Sequence, residues 1–489
     1  MAVQAGQRSQ ATKSPGILGQ VQKYRWTELV LFILPFLMLL LEMSQLLIEN
    51  TDKQLALSRS TLPTLQGLLP ILGLIAALFV VHLILNIFFR KSDQMLLPLV
   101  GLLSGLGVLM ATRLGPDVVS AYIHGVAYHD PTLGTRQLVW VLLGLGVFLA
   151  TMFLLRDLDM LKRFQYTIAF LGILLVCVTL VNTLRYGFHN LNAPSRDQLN
   201  ICPFAFQPSE FLKIFIVTFF AGYLSDHREV ITQTNLRFGP FRLPPLKHLG
   251  PPALMLVIAL LLFLVVRELG LALLIYGIFL SMLYLGSGKL SYAGTGLLIF
   301  LLLGFVGYLL FGYVRARFVT VTTDVVHWNA ASQALYDAPG GSQQVVQGLI
   351  ALSSGGIFGA GLGLGHPAGL YFVPVVQSDM VLTAFGEELG LVGLFAIIAI
   401  YLLIIYRGFR IAIDAPDTFS QLLAAGLTSI FAIQTLIIIA GNMKFFPLTG
   451  IPLPFLSYGG SSMIANYIIV GILLRISYNS AVARESLEA

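Results

Sequence analysis

Uncharged apolar runs recur along the whole chain, broken at intervals by polar segments that carry most of its charges. Several runs reach the roughly 20 residues that a helix needs to cross a hydrocarbon core about 30 Å thick. The pattern predicts twelve such helices, over residues 27–48, 66–88, 95–112, 136–155, 165–184, 207–224, 251–266, 269–286, 291–313, 380–406, 421–442 and 459–477. Arg267, Glu268 and Gly270 make a very short break between the seventh and the eighth. The expected fold class is an all-α polytopic integral membrane protein.

Two interruptions stand apart from the rest. The segment 314–379 is much longer than the other breaks, and it contains the apolar, glycine-rich run GLIALSSGGIFGAGLGLG. Long loops in compact proteins are usually functional or disordered, and this one is too apolar for a solvated tail. It is expected to fold back on the outer membrane face as short or re-entrant helices. The second interruption, PLTGIPLPFLSYGGSS at 447–462, is irregular yet uncharged. Its prolines stiffen the approach to the last span, its glycines permit a tight turn, and Ser461 and Ser462 are expected to cap the helix that follows. The segment is expected to form a shaped, uncharged wall of an outer cavity, with Ser457, Ser461 or Ser462 available to hydrogen-bond a ligand there. No internal repeat is visible, which argues weakly against an inverted-repeat transporter.

Composition agrees with the pattern: 57% of the residues are hydrophobic, 11% are charged and the mean hydropathy is +0.85. The first 25 residues carry Arg8, Lys13, Lys23 and Arg25 without an acid, so the first helix is read as retained, with its N-terminus in the cytoplasm. Lysines and arginines are in excess in the segments this orientation assigns to the cytoplasm, and an even number of spans returns the C-terminus there. The net charge of +6 is thereby spent on topology rather than on nucleic acid. Cys177 and Cys202 make no disulfide framework, His82, His124 and His129 have no metal-site spacing, and no phosphate-binding loop supports ATP-driven transport.

Ionisable groups in or beside a span are costly and point to function. Three clusters qualify. Glu210 and Lys213, in FQPSEFLK, share one helical face; capping accounts for Glu210 at a helix start, but not for Lys213 one turn further in. Asp337, in YDAPGGSQQVVQGL, reads as a turn residue on its own, with Gln344 and Gln347 three apart on a following helix. Asp379 looks like a helix-start residue, while Glu387 and Glu388 lie two turns deeper and cannot both face lipid. They either meet substrate or take part in a structural ion pair.

With these stretches in view, the sequence resembles the SEDS family, the shape, elongation, division and sporulation proteins. PLTGIPLPFLSYGGSS is similar to the family's C-terminal signature and nearer in wording to its RodA branch. FQPSEFLK, the Asp337 loop and SDMVLTAFGEELG follow the family's order. The likeness covers about residues 95–478, which divides the chain into 1–94, a tail with two additional helices, a core over 95–478 containing the outer loop 314–379, and a short cytoplasmic tail over 479–489.

The resemblance implies a peptidoglycan glycosyltransferase of the bacterial cytoplasmic membrane, polymerising lipid II at the outer face beside a class B penicillin-binding protein. It implies Asp337 as the catalytic aspartate, Glu210 with Lys213 as the paired charges, and Arg317 as the arginine upstream of the aspartate. The chain departs from the family where Arg317 and Asp337 stand further apart than usual, so Asp324 is an alternative base. Transfer from an α-linked undecaprenyl diphosphate donor to a β-linked glycan requires inversion, with a base for the acceptor hydroxyl. The leaving diphosphate calls for positive charge from Lys213, Arg317 or a divalent cation. A lipid-precursor flippase and a non-catalytic scaffold for the penicillin-binding protein are the competing readings.

Overall fold

The computed structural model describes residues 24–52, 65–116, 119–123, 126–129, 132–186, 199–201, 204–233, 236–238, 241–243, 246–266, 268–338, 341–365, 373 and 375–488. Arg8, Lys13, Lys23, His124, Cys202 and Arg267, on which sequence expectations fell, lie outside the described residues.

Helices dominate, because in lipid every backbone donor and acceptor must find its partner within the chain. In chain order they are α1 (Trp26–Asp52), α2 (Leu65–Phe88), α3 (Leu96–Leu114), α4 (Leu133–Leu154), α5 (Asp159–Arg163), α6 (Gln165–Tyr186), α7 (Ser209–Gln233) and α8 (Leu246–Val266). There follow α9 (Leu269–Ser287), α10 (Leu290–Leu310), α11 (Gly312–Thr322), α12 (Ala330–Asp337), α13 (Gln343–Gly355), α14 (Val381–Ile413), α15 (Thr418–Asn442) and α16 (Gly460–Glu488). Among the described residues nine helices are long and apolar enough to cross a membrane: α1 to α4, α9, α10 and α14 to α16. Helices α6, α7 and α8 cover the other three predicted spans, α6 and α8 with the shorter apolar stretches Gln165–Leu180 and Gly250–Leu261. The chain is a multi-pass membrane protein.

Three breaks hold short antiparallel hairpins: β1 (Val119–Ile123) with β2 (Val126–His129), β3 (Leu199–Ile201) with β4 (Phe204–Phe206), and β5 (Leu236–Phe238) with β6 (Phe241–Leu243). Segment 314–379 folds into α11, α12 and α13, the short helices its apolar pattern predicts. This segment marks one face of the bundle, here the loop face; α1 starts and α16 ends on the opposite, terminal face.

The core is continuous from α1 to α16 and includes Leu97, Phe148, Phe220, Phe385 and Tyr467. Helix α16 packs on α4, α14 on α15 and α13, and α6 on α7, while α1 and α2 lie against α3 and α4. Leu301, Phe305, Phe395 and Leu402 point outward, as lipid-facing side chains do. Helix α14 is broken at Gly390 (φ 66°). There the glycine-rich segment after α13 enters its backbone ladder: Leu391 N donates to Gly356 O at 3.1 Å and Val392 N to Ile357 O at 3.1 Å.

Candidate active site

The irregular segment 447–457 lies inside the bundle at the loop face, with Leu453, Phe455 and Leu456 almost fully buried. A backbone without its own ladder at this depth must borrow partners, and it borrows them from several helices. Arg317 on α11 donates to Leu448 O at 3.2 Å, Gln434 on α15 to Pro452 O at 2.7 Å, Tyr401 on α14 to Pro454 O at 2.5 Å, and Gln137 on α4 to Ser457 O at 3.2 Å. Ser457 turns inward: its Oγ accepts from Leu453 N at 2.8 Å and donates to Ser378 O. The expected wall is thus a segment clamped from four helices.

The expected helix cap is replaced by a different arrangement. Ser461 and Ser462 lie in the first turn of α16, where Ser461 Oγ accepts from Gln207 N at 2.9 Å and Ser462 Oγ from Asn466 Nδ2 at 3.2 Å. Ser461 therefore ties α16 to the segment before α7.

Beneath the wall is the first predicted charge pair. Lys213 Nζ donates to Glu210 Oε2 at 2.7 Å and to Gln434 Oε1 at 3.0 Å, all three side chains being fully buried. One turn of α7 brings the two charges together, and α15 supplies the amide. Lys213 thus pairs with Glu210, while Asp337 lies elsewhere, in the loop.

At the mouth of the site, Asp379 is half-buried just before α14. Burial pushes its carboxyl up to about 6, against the opposing pull of its own backbone N–H, the Arg317 charge and Gln344. Gln344 Nε2 lies 3.5 Å from Asp379 Oδ1, and Asn442 Nδ2 donates to Asp379 O at 3.0 Å. Unusual backbone collects here: Val375 (φ 56°), Lys444 (φ 61°) and Phe455 (φ 64°) are left-handed without being glycine. Such strain persists only where the surroundings enforce it, and it is common at active sites.

The two loop aspartates are treated differently. Asp324 Oδ1 accepts from Val326 N at 3.0 Å and His327 N at 2.8 Å, and Oδ2 lies 3.4 Å from His327 Nδ1. Those contacts, led by the His327 backbone N–H, hold its carboxyl below the usual range. Asp337 ends α12 exposed, with Oδ2 accepting from Gln333 Nε2 at 2.9 Å. Gln347 donates to Tyr336 OH, which ties α13 to the helix that carries Asp337.

Glu387 and Glu388 sit deeper in α14. Glu388 Oε1 is 3.1 Å from Arg113 Nε on α3, and Oε2 accepts from Gly363 N at 3.1 Å. Arg113 also donates to Gly365 O. Glu388 is therefore half of an ion pair that fastens the glycine-rich segment to α14. The carbonyls of Glu387 and Glu388 accept from Ala360 N at 2.9 Å and Gly361 N at 3.0 Å. Among the described residues no cluster of three or more His, Cys, Asp or Glu side chains is placed to hold a metal ion.

Sequence reasoning missed Gln137, Tyr401, Gln434, Asn442 and Arg113. Each is a single polar group within or at the end of an apolar run, where no spacing marks it; its presence at membrane depth was the available signal.

A family model described as that of a cell cycle protein, FtsW/RodA/SpoVE, matches residues 93–482. The chain is similar to the peptidoglycan glycosyltransferase RodA of Mycobacterium tuberculosis (strain ATCC 25618 / H37Rv), at 36% identity over 82% of this chain and 81% of the relative. It is also similar to stage V sporulation protein E of Bacillus subtilis (strain 168), at 31% identity over 70% of this chain and 86% of the relative. Among solved structures, a chain of a peptidoglycan synthase complex that coordinates polymerization and crosslinking has a TM-score of 0.56 at 23% identity, covering 80% of this chain and 98% of its own. The rod shape determining protein RodA of Thermus thermophilus has a TM-score of 0.51 at 22% identity, covering 79% and 96%. The structural likenesses support the polytopic helical fold; the family match leaves α1 and α2 outside.

Proposed function

The chain belongs to the FtsW/RodA/SpoVE family of cell cycle proteins, and from that premise we propose that the cluster on its loop face is the active site at which lipid II is polymerised. The enzyme is a peptidoglycan glycosyltransferase, the activity for which its RodA relatives are named. The observation that carries the site assignment is the meeting of Arg317, Gln344 and Asp379 beside the clamped proline segment, with α13 linking them through Gln347 and Tyr336 to the helix that ends at the exposed Asp337.

In this reading Asp337 is the general base for the acceptor hydroxyl. Its carboxylate, held by a single bond from Gln333, is exposed to an approaching sugar, whereas both oxygens of Asp324 are engaged in their own turn and its pKa is lowered, which weakens it as a base. Arg317 supplies positive charge for the departing diphosphate, because Lys213 is committed below to Glu210 and Gln434. Lys213, Glu210 and Ser457 support the wall, while Glu387, Glu388, Ser461 and Ser462 hold the elements around it.

The loop face is outside and both termini are cytoplasmic in the bacterial inner membrane. Lys91, Lys162, Arg407, Arg410 and Arg484 on the terminal face support that orientation. A class B penicillin-binding protein is the partner that would cross-link the product, a reading supported by the synthase complex among the structural neighbours.

The test is glycan polymer formation from lipid II by the purified chain with such a partner. Wild type and Asp324→Asn are expected to polymerise, and Asp337→Asn to fall by roughly 100-fold or more, the scale of a lost general base. A fully active Asp337→Asn protein refutes the base assignment. Movement of lipid II across vesicles without polymer supports transport instead.

A further inference from the structure

Gln434 stands on the buried side of α15, fully enclosed, with two ends that meet opposite demands. Its Oε1 accepts from Lys213 Nζ at 3.0 Å and its Nε2 donates to Pro452 O at 2.7 Å. An ammonium offers donors only. The charge on Lys213 therefore fixes which end of the amide faces it, and the NH2 group is left aimed at the proline segment. Reversing the amide would set donor against ammonium and carbonyl against carbonyl.

The bonds continue toward the mouth of the site. Next to Pro452, Leu453 N donates to Ser457 Oγ at 2.8 Å, Ser457 Oγ donates to Ser378 O, and Ser378 adjoins Asp379. A path of hydrogen bonds and one short stretch of backbone thus joins the Glu210–Lys213 pair, deep in the bundle, to the aspartate at the loop face.

We propose that Gln434 is a positioning residue for glycan transfer: it orients the proline-rich wall according to the charge on Lys213 and, through Ser457 and Ser378, sets the backbone that carries Asp379. The proposal rests on the glycosyltransferase reading above. Gln434 acts through the segment it holds, so its loss alters the geometry of a folded site.

The experiment uses the full chain with its cross-linking partner and lipid II, comparing wild type, Gln434→Glu, Gln434→Met, Lys213→Met and the Gln434→Met/Lys213→Met double variant. Gln434→Glu keeps the acceptor toward Lys213 and loses the donor toward Pro452; Gln434→Met loses both at similar volume. Both are expected to lower kcat by roughly 10- to 100-fold at nearly unchanged KM, per folded molecule, as misplacement of a site wall does. The double variant is expected to be no slower than Lys213→Met alone, since both changes break one path. A Gln434→Met protein with wild-type kcat overturns the proposal, as does a rate that falls only with the folded fraction, or losses that multiply in the double variant. A wild type that makes no polymer refutes the underlying reading instead.

Discussion

Asp379 is a carboxyl whose surroundings favour the proton. Its pKa stands at about 6 against an ordinary 3.8, chiefly because burial disfavours the charged form and outweighs the opposing pull of its own backbone N–H, the Arg317 charge and Gln344. The folded state therefore binds more protons than the unfolded chain between about pH 4 and 6, and stability falls as pH rises through that window. The stabilisation is complete below pH 4 and gone above about 6, with roughly 3 kcal/mol as its ceiling for a shift of two units. Thermal denaturation in nanodiscs from pH 4.5 to 7 is expected to show this decline in wild type and a shallower one in Asp379→Asn; equal slopes refute it. Asp379 was legible in the sequence because an acid beside a span stands out. Gln434 and Asn442 were not, because a neutral amide breaks no charge pattern and its meaning lies in what a distant segment brings against it.

At the scale of the element, the proline-rich segment depends on neighbouring helices that leave it room. A Cβ on Gly107 of α3 would lie 2.7 Å from Leu456 O and 2.8 Å from Phe455 O, and one on Gly270 of α9 would meet Thr449 O. These are backbone atoms of a clamped segment and cannot swing aside. Gly107→Ala is expected to cost about 1–3 kcal/mol of stability and to lower polymerisation. Gly146→Ala on α4, with nothing within 4 Å of its added carbon, is expected to gain up to about 1 kcal/mol from helix propensity. Denaturation midpoints of the two variants check the contrast, and equal midpoints refute it. The helices themselves were legible because a span must be long and apolar, as the runs at 66–88 and 421–442 are. The break at Gly390 was not, because it arises where residues 356 and 357 insert their carbonyls from another segment.

For the whole molecule, the question is how α1 and α2, outside the family match, are joined to the rest. The Arg25 guanidinium, almost fully buried, pairs with Glu28, itself 2.8 Å from His82 Nδ1. It also donates to Phe89 O at 3.2 Å, Ser92 O at 2.9 Å and Asp93 O at 2.7 Å. That turn leads into α3, where Asp93 Oδ1 accepts from Met95 N at 2.9 Å and Leu96 N at 3.0 Å, while Oδ2 pairs with Arg407 of α14. The added helices are thus fastened by one buried arginine to the turn that starts the core. Removing one partner of a buried ion pair leaves the other charge without compensation and costs about 3–5 kcal/mol. Arg25→Ala is therefore expected to lower the denaturation midpoint strongly, whereas Arg410→Ala, which breaks an exposed pair with Asp414, should change stability by less than about 1 kcal/mol. Because the site lies on the opposite face, Arg25→Ala should retain wild-type KM and kcat per folded molecule below its midpoint. A stable Arg25→Ala protein would mean that apolar packing of α1 on α3 suffices. A folded but catalytically altered one would mean that the terminal face is coupled to the site, with Asp93, Arg407 and α14 as the connection.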